Sequence, residues 1–244
     1  MTKPLDGRLA LVTGASRGIG RAVALALGEA GAHIVAVAPA KSTDALETLD
    51  DELKAKGSAA TLVPLDVKDG AGIDRLGAGI FERWGKLDIL VANAGILGTL
   101  TPLAHIAPKE WDDLIAINLT ANWRLIRALD PLLRASDAGR AIFVSSGAAD
   151  KATPFWGGYA VTKVALEKLA QTYAAETAKT PVRVNIVNPG GTRTRMRQQA
   201  FPGEDPDTLP TAQEVARLFV ELADPAWDRT GERIDYRDWA AARV

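Results

Sequence analysis

Seven short runs of the chain are rich in apolar and β-branched residues: RLALVTG (8–14), HIVAVA (33–38), AATLVPL (59–65), LDILVANAG (87–95), RAIFVSS (140–146), VRVNIVNPG (182–190) and ERIDYR (232–237). The first six are apolar nearly throughout. Strands covered on both faces read that way. Longer stretches with helical spacing separate them. IGRAVALALGEAG stops at Gly31, and TDALETLDDELKAKG puts Leu46, Leu49 and Leu53 on one face before Gly57. Glycines just past a periodic run are common helix terminators. The alternation predicts an α/β fold: a doubly wound parallel sheet of about seven strands with helices on both faces. No linker, repeat or low-complexity tract interrupts it, so a single domain over 1–244 is expected. The exception to the rhythm is the long stretch 190–211, GGTRTRMRQQAFPGEDPDTLPT. It follows the C-terminal end of a strand, where open α/β sheets bind ligands, and is expected to cover a substrate site.

Composition narrows the chemistry. The 29 Lys and Arg nearly balance the 30 Asp and Glu, which gives no general attraction to nucleic acid or anionic lipid. With no cysteine, thiol nucleophiles, disulfides and zinc thiolates are excluded. The two histidines, His33 and His105, are too few for a usual histidine metal site, and both are expected to be structural. No metal is called for. No run of 18 apolar residues occurs, and the start shows no signal-peptide pattern, so a cytoplasmic protein is expected.

The first strong motif is LVTGASRGIGRAVA, a strand, a glycine-rich turn and a helix. Gly14, Gly18 and Gly20 are spaced G-x3-G-x-G. Missing side chains let backbone approach a pyrophosphate, and the helix start offers free N–H groups and partial positive charge. The spacing differs from the G-x-G-x-x-G of most dinucleotide folds. TGASRGIG (13–20) resembles the T-G-x3-G-x-G of the short-chain dehydrogenase/reductase family throughout.

Further matches fall in that family's order and span nearly the whole chain. The resemblance implies a Rossmann-type NAD(P)-binding domain. Gly14, Ser16, Arg17, Gly18, Ile19 and Gly20 would form the phosphate turn. Asp66 and Val67, ending the third strand, would flank the adenine. Asn93, Ala94 and Gly95 match the N-A-G turn, and Asn118 in IAINLTAN matches the helix asparagine. Pro189 and Gly190 would lie against the nicotinamide, with Thr192 or Thr194 on its carboxamide. Thr194 fits the usual P-G-x3-T spacing.

The second strand ends VAVAPAKSTD, with Ala38 and Pro39 where NAD-binding chains usually carry an acid. An acid there repels a 2′-phosphate. Arg17 and Lys41 are placed to pair with one, so NADP(H) is favoured over NAD(H).

The helix YAVTKVALEKLAQTYAAE puts Tyr159 and Lys163 on one face. Lowering a tyrosine pKa from about 10 by about three units takes about 4 kcal/mol. A lysine ammonium about 4 Å away in a dielectric near 20 supplies roughly that much. By resemblance, Tyr159 passes a proton as hydride moves between nicotinamide and substrate. Lys163 lowers its pKa and binds the nicotinamide ribose. Ser146, thirteen residues upstream, orients the substrate oxygen. Ser145 is the lesser choice, facing the other side of its strand. Asn118 would hold a water linking Lys163 to solvent.

The expected substrate is a ketone or secondary alcohol in a pocket lined by 95–101, 147–156 and the 190–211 segment. Phe155 and Trp156 read either as an apolar wall or as packing. Arg193, Arg195 and Arg197 read either as an anion attractor or as a solvated face. The tail RTGERIDYRDW lacks the family's D-G-G. Family members commonly associate through helices such as 108–134 and 157–178, so a homodimer or homotetramer is expected. Rival classes are a cofactor-binding regulator without turnover, and a lyase, dehydratase or isomerase on the same fold.

Overall fold

The computed structural model describes residues 3–243; the ends of the predicted 1–244 domain lie outside them. The strands are β1 (Leu9–Thr13), β2 (His33–Ala38), β3 (Ala60–Pro64), β4 (Ile89–Ala92), β5 (Arg140–Val144), β6 (Arg183–Asn188) and β7 (Arg233–Asp235). They form one sheet in the order β3-β2-β1-β4-β5-β6-β7, with every pairing parallel. The order reverses between β1 and β4, opening a crevice at their C-terminal ends.

Both faces of the sheet are buried by helices. Along β1, Ala10 and Val12 join the core under α1 (Gly18–Glu29), α2 (Thr43–Ala55) and α8 (Ala212–Ala223). Leu9 and Leu11 join the core under α3 (Gly70–Trp84), α5 (Ala121–Ala135) and α6 (Gly157–Glu176). This period-two division is why the strands read as unbroken apolar runs. No helix among the described residues is long and apolar enough to cross a membrane.

At the N-terminal ends of the strands, charge replaces apolar packing. Asp88 is fully buried and accepts from Leu9 N (2.9 Å), Lys86 Nζ (3.0 Å), Arg8 Nη1 (3.1 Å) and Ser136 Oγ (2.6 Å). Beside it, Arg140 donates to the carbonyls of Gly139, Pro181, Asp224 and Pro225. Burial pulls its guanidinium pKa down to about 10.

Four sequence expectations are corrected. The predicted strand 87–95 ends at Ala92, because the Asn93 Nδ2 donates to Thr13 O (2.9 Å) and turns the chain toward β1. The predicted last strand 232–237 keeps only Arg233–Asp235. Tyr236 and Trp239, spaced for a helix, pack back on the core as α9 (Tyr236–Ala241). The long helix 108–134 is α4 (Pro108–Ile115) and α5 joined by a π-helical turn, Ala116–Thr120. The stretch 190–211 is not wholly irregular. Thr194 caps α7 (Arg195–Ala200), a 3₁₀ turn spans Pro206–Thr208, and an Arg193–Thr211 bridge closes the base. His33, at the start of β2, bonds Thr61 Oγ1 through Nε2 (2.9 Å), and His105 lies in the 3₁₀ turn Leu103–His105.

Candidate active site

The glycine turn packs against the end of β4. Gly14 (φ 70°) and Gly18 (φ 56°) take left-handed backbone that favours glycine. A Cβ at Gly20 would press into Gly14 O and Asn93 Nδ2. This is a backbone cradle with no room for side chains, as a pyrophosphate at a helix start requires. Gly20→Ala is therefore expected to weaken dinucleotide binding at least tenfold, read by fluorescence titration with reduced nicotinamide dinucleotide. Wild-type affinity in that variant would contradict the cradle.

Ser16 sits in the turn, Arg17 stands exposed at the N-cap of α1, and Ile19 is half-buried in its first turn. Lys41 is exposed in the 3₁₀ turn directly after β2. Among the described residues neither Arg17 nor Lys41 has an ion-pair partner, whereas the nearby Arg21, Arg193 and Arg197 each have one. Asp66 is exposed just past β3, its Oδ1 accepting from Lys68 N (3.0 Å), and Val67 beside it is buried. Asn93 and Ala94 donate their amides to Thr13 Oγ1, both at 3.0 Å. Thr13 was missed as a site residue, although it opens the TGASRGIG motif. Its buried hydroxyl joins the two sides of the crevice.

On the other side, Thr192 Oγ1 donates to Pro189 O (3.1 Å), and Gly190 is left-handed (φ 66°). Thr194 Oγ1 accepts from Arg197 N (3.2 Å), while its methyl faces Gly18. The turn after β6 thus meets the glycine turn across the crevice.

Tyr159, Lys163, Ser146 and Asn118 are brought together from α6, the end of β5 and the π-turn. Tyr159 is 8% exposed and Lys163 4%. Lys163 Nζ donates to Val144 O (2.8 Å) and lies 5.6 Å from the Tyr159 ring centroid. Ser146 is extended, and its Oγ accepts from Ala148 N (3.2 Å). Ser145 turns away and donates to Glu167. Asn118 is fully buried. Its amide exchanges two 2.9 Å bonds with the backbone of Ile96 and donates to Thr162 Oγ1 (3.1 Å). Its own carbonyl accepts from Asn122 Nδ2 (2.8 Å). Thr162 and Asn122 carried no distinguishing signal in the sequence. Gly95 packs in between: a Cβ there would lie 3.3 Å from Asn118 Oδ1 and 3.7 Å from Lys163 Nζ.

The electrostatics differ from the expectation in one respect. Burial pushes the Tyr159 phenol pKa up, only partly opposed by its bond with Ser146. Burial also pulls Lys163 down to about 8, opposed by Glu167. The lysine, turned toward Val144 O, does not by itself lower the phenol pKa. The protein alone holds Tyr159 as a neutral phenol, the form that can donate a proton.

The wall beside the phenol is aromatic. Trp156 meets Tyr159 edge-on (6.1 Å between centroids) and Phe201 at 5.6 Å. Arg197 stacks 3.8 Å over Phe201 and pairs with Glu204, and Arg193 pairs with Asp207. Two of the three arginines are thus neutralised, which favours the solvated-face reading over an anion attractor.

A parallel sheet of this order, with a glycine turn at its reversal point, defines an α/β fold of the Rossmann type. The chain belongs to the short-chain dehydrogenase/reductase family of NAD(P)-dependent oxidoreductases, and the short chain dehydrogenase family profile matches residues 8–205. The uncharacterized oxidoreductase YciK of Escherichia coli K12 is 35% identical over 235 residues, covering 95% of this chain and 92% of that protein. An uncharacterized NAD-dependent oxidoreductase of Mycobacterium tuberculosis is 40% identical over 79% of this chain and 74% of its own. A solved short chain dehydrogenase from Shigella flexneri, complexed with NADP, superposes with a TM-score of 0.92. It is 35% identical, with 97% of this chain and all of that chain covered.

Proposed function

We propose that this oxidoreductase reduces ketones, or oxidises the corresponding secondary alcohols, with NADP(H), and that Tyr159 is its general acid/base. The observation that carries the reading is the buried Tyr159 phenol beside Ser146, with Lys163 one helical turn on and the glycine cradle across the crevice. Gly14, Ser16, Arg17, Gly18, Ile19 and Gly20 would hold the pyrophosphate side of the cofactor. Asp66 and Val67 would flank its adenine. Asn93 to Gly95, Pro189, Gly190 and Thr192 or Thr194 would border its nicotinamide half. The bound nicotinamide supplies the hydride. Tyr159 would give its proton to the substrate oxygen and Ser146 would orient that oxygen; Lys163 would return a proton to Tyr159, itself reprotonated from solvent through a water held by Asn118.

The substrate side is apolar. Phe155 is the only non-glycine residue with positive φ (74°) among the described residues, and it is 57% exposed. Such strain collects at functional sites. With Trp156, Phe201 and the exposed Leu103, it supports an apolar carbonyl compound under a covering segment 190–211. The exposed Trp111, Trp123, Val161 and Val164 on α4, α5 and α6 support a homo-oligomer joined through these helices.

A panel of ketones and alcohols run with NADPH/NADP and NADH/NAD tests the reading; absence of turnover with both pairs would refute it. Arg17 and Lys41, exposed and without an ion-pair partner among the described residues, support the choice of NADP(H). Replacing both with alanine is expected to raise the Kd for NADPH about tenfold or more, the loss of about 1.4 kcal/mol or more, with little change for NADH. Equal losses for both cofactors would contradict a phosphate contact.

A further inference from the structure

The sequence departs from its family at the last strand, where Arg233 and Asp235 stand before a helix instead of a glycine turn. These two residues reach the back of the site. Arg233 donates twice to Asp150, at 2.7 Å each, on the turn that follows Ser146. Its Nη2 lies 3.5 Å from Asp235 Oδ1. Asp235 accepts from Asn188 Nδ2, and Asn188 Oδ1 accepts from Gly190 N (3.1 Å). One arginine therefore ties together the turn after β5 and the turn after β6.

Helix α6 meets the same arginine. Tyr159, Lys163 and Glu167 are spaced four apart and share a face. Lys163 holds Val144 O, and Glu167 holds the Ser145 hydroxyl, so two side chains grip the residues just before Ser146. Glu167 Oε1 lies 3.1 Å from Arg233 Nε. That nitrogen is the only buried side-chain nitrogen or oxygen among the described residues without a hydrogen-bond partner. Its contact with Glu167 is an ion pair whose geometry is set by other bonds.

We propose that Arg233 and Glu167 are positioning residues: an ionic clamp behind the site that fixes Ser146 and Lys163 and holds the turns 146–150 and 188–190 at one spacing. The proposal rests on the reading of Tyr159 and Lys163 given above. Stability alone is a weak reason for such a network. Partly buried ion networks add little net stability over apolar packing, and in some proteins their use is to fix geometry. The charged or titratable groups around Lys163 are few. Tyr159 and Glu167 lie on its own helix, Arg233 and Asp235 on β7, and Asp150 on the turn after β5. The 93–97 loop and the π-turn bring only Gly95 and the neutral Asn118. Burial works against the lysine's charge, and Glu167 works for it. Removing the carboxylate favours proton loss from Lys163.

The test uses the full chain with NADPH and a ketone from the panel. Glu167→Gln is expected to move the alkaline limb of the reduction rate to lower pH by about one unit. Arg233→Gln is expected to lower kcat about 10- to 100-fold, and Arg233→Lys to recover most of it. Hydrogen exchange should speed up in 146–150 and 188–191 of Arg233→Gln, and stay unchanged in β1 and β4. A wild-type limb in Glu167→Gln together with wild-type kcat in Arg233→Gln would overturn the clamp. So would faster exchange spread evenly over the sheet, which marks a merely structural role. If the wild type turns over no carbonyl or alcohol with either cofactor, the functional reading fails by itself. The exchange pattern of the two turns then decides the clamp alone.

Discussion

Tyr159→Phe is expected to lower kcat for carbonyl reduction by about 10³-fold, within the range known for general acid/base groups, while the Kd for NADPH stays nearly unchanged. The ring stays in place, packed edge-on against Trp156, so only the hydroxyl beside Ser146 is lost. In the protein alone burial keeps that phenol protonated, so reduction can use it as a donor near neutral pH. Lys163, pulled down to about 8, sets the alkaline side: as pH rises through that value it loses the proton that would recharge Tyr159. The wild-type rate of reduction is therefore expected to fall above about pH 8, and the residual rate of Tyr159→Phe to lose this limb. Steady-state rates across pH, with cofactor affinity measured in parallel, check both points. Substantial turnover in the variant would remove Tyr159 from its assigned role.

Asp88→Ala is expected to destabilise the fold by about 3–5 kcal/mol, because it leaves Arg8, Lys86, Ser136 and the Leu9 amide facing a buried void. For a chain of this size that corresponds to a melting temperature lower by about 10 °C. The pH dependence follows from the direction of the shift. Burial alone would raise the Asp88 pKa, but its bonds to Ser136, Leu9 N and Lys86 outweigh burial and hold it below the usual carboxylate value. A depressed folded pKa contributes stability above the unfolded value of about 4, and that contribution disappears as pH falls through the folded pKa. Thermal melts should therefore separate wild type from variant at pH 7 and bring them closer in strong acid. Equal melting temperatures at pH 7 would show that the cluster carries no such load.

Much of this was legible from residue order. The apolar runs fall on the seven strands because each strand feeds two cores, Leu9 and Leu11 one, Ala10 and Val12 the other. The glycine turn was legible because Gly14, Gly18 and Gly20 are local: their spacing and backbone demands sit within one strand–turn–helix unit. Tyr159 and Lys163 were readable as a pair for the same reason. Boundaries were less legible. ERIDYR has strand-forming residues, yet Tyr236 leaves the sheet because α8 and the core behind it offer better burial than an edge position. The segment 190–211 hid a helix because its start depends on one side chain, Thr194, capping Arg197 N.

By itself, the sequence determined the alternation of strand and helix and the family, and it nominated the residues of the candidate site. Those are properties of local pattern and spacing. Only the tertiary structure decided the protonation of that site. The phenol's raised pKa comes from burial and the lysine's depressed one from burial opposed by Glu167, and burial exists only after distant segments pack. The same holds for Thr13 joining β1 to the Asn93 turn, for Asn118 docking on Ile96, and for Arg233 reaching Asp150 across 83 positions of chain. Each is a contact between segments far apart in sequence, and no periodicity along the chain encodes such a distance.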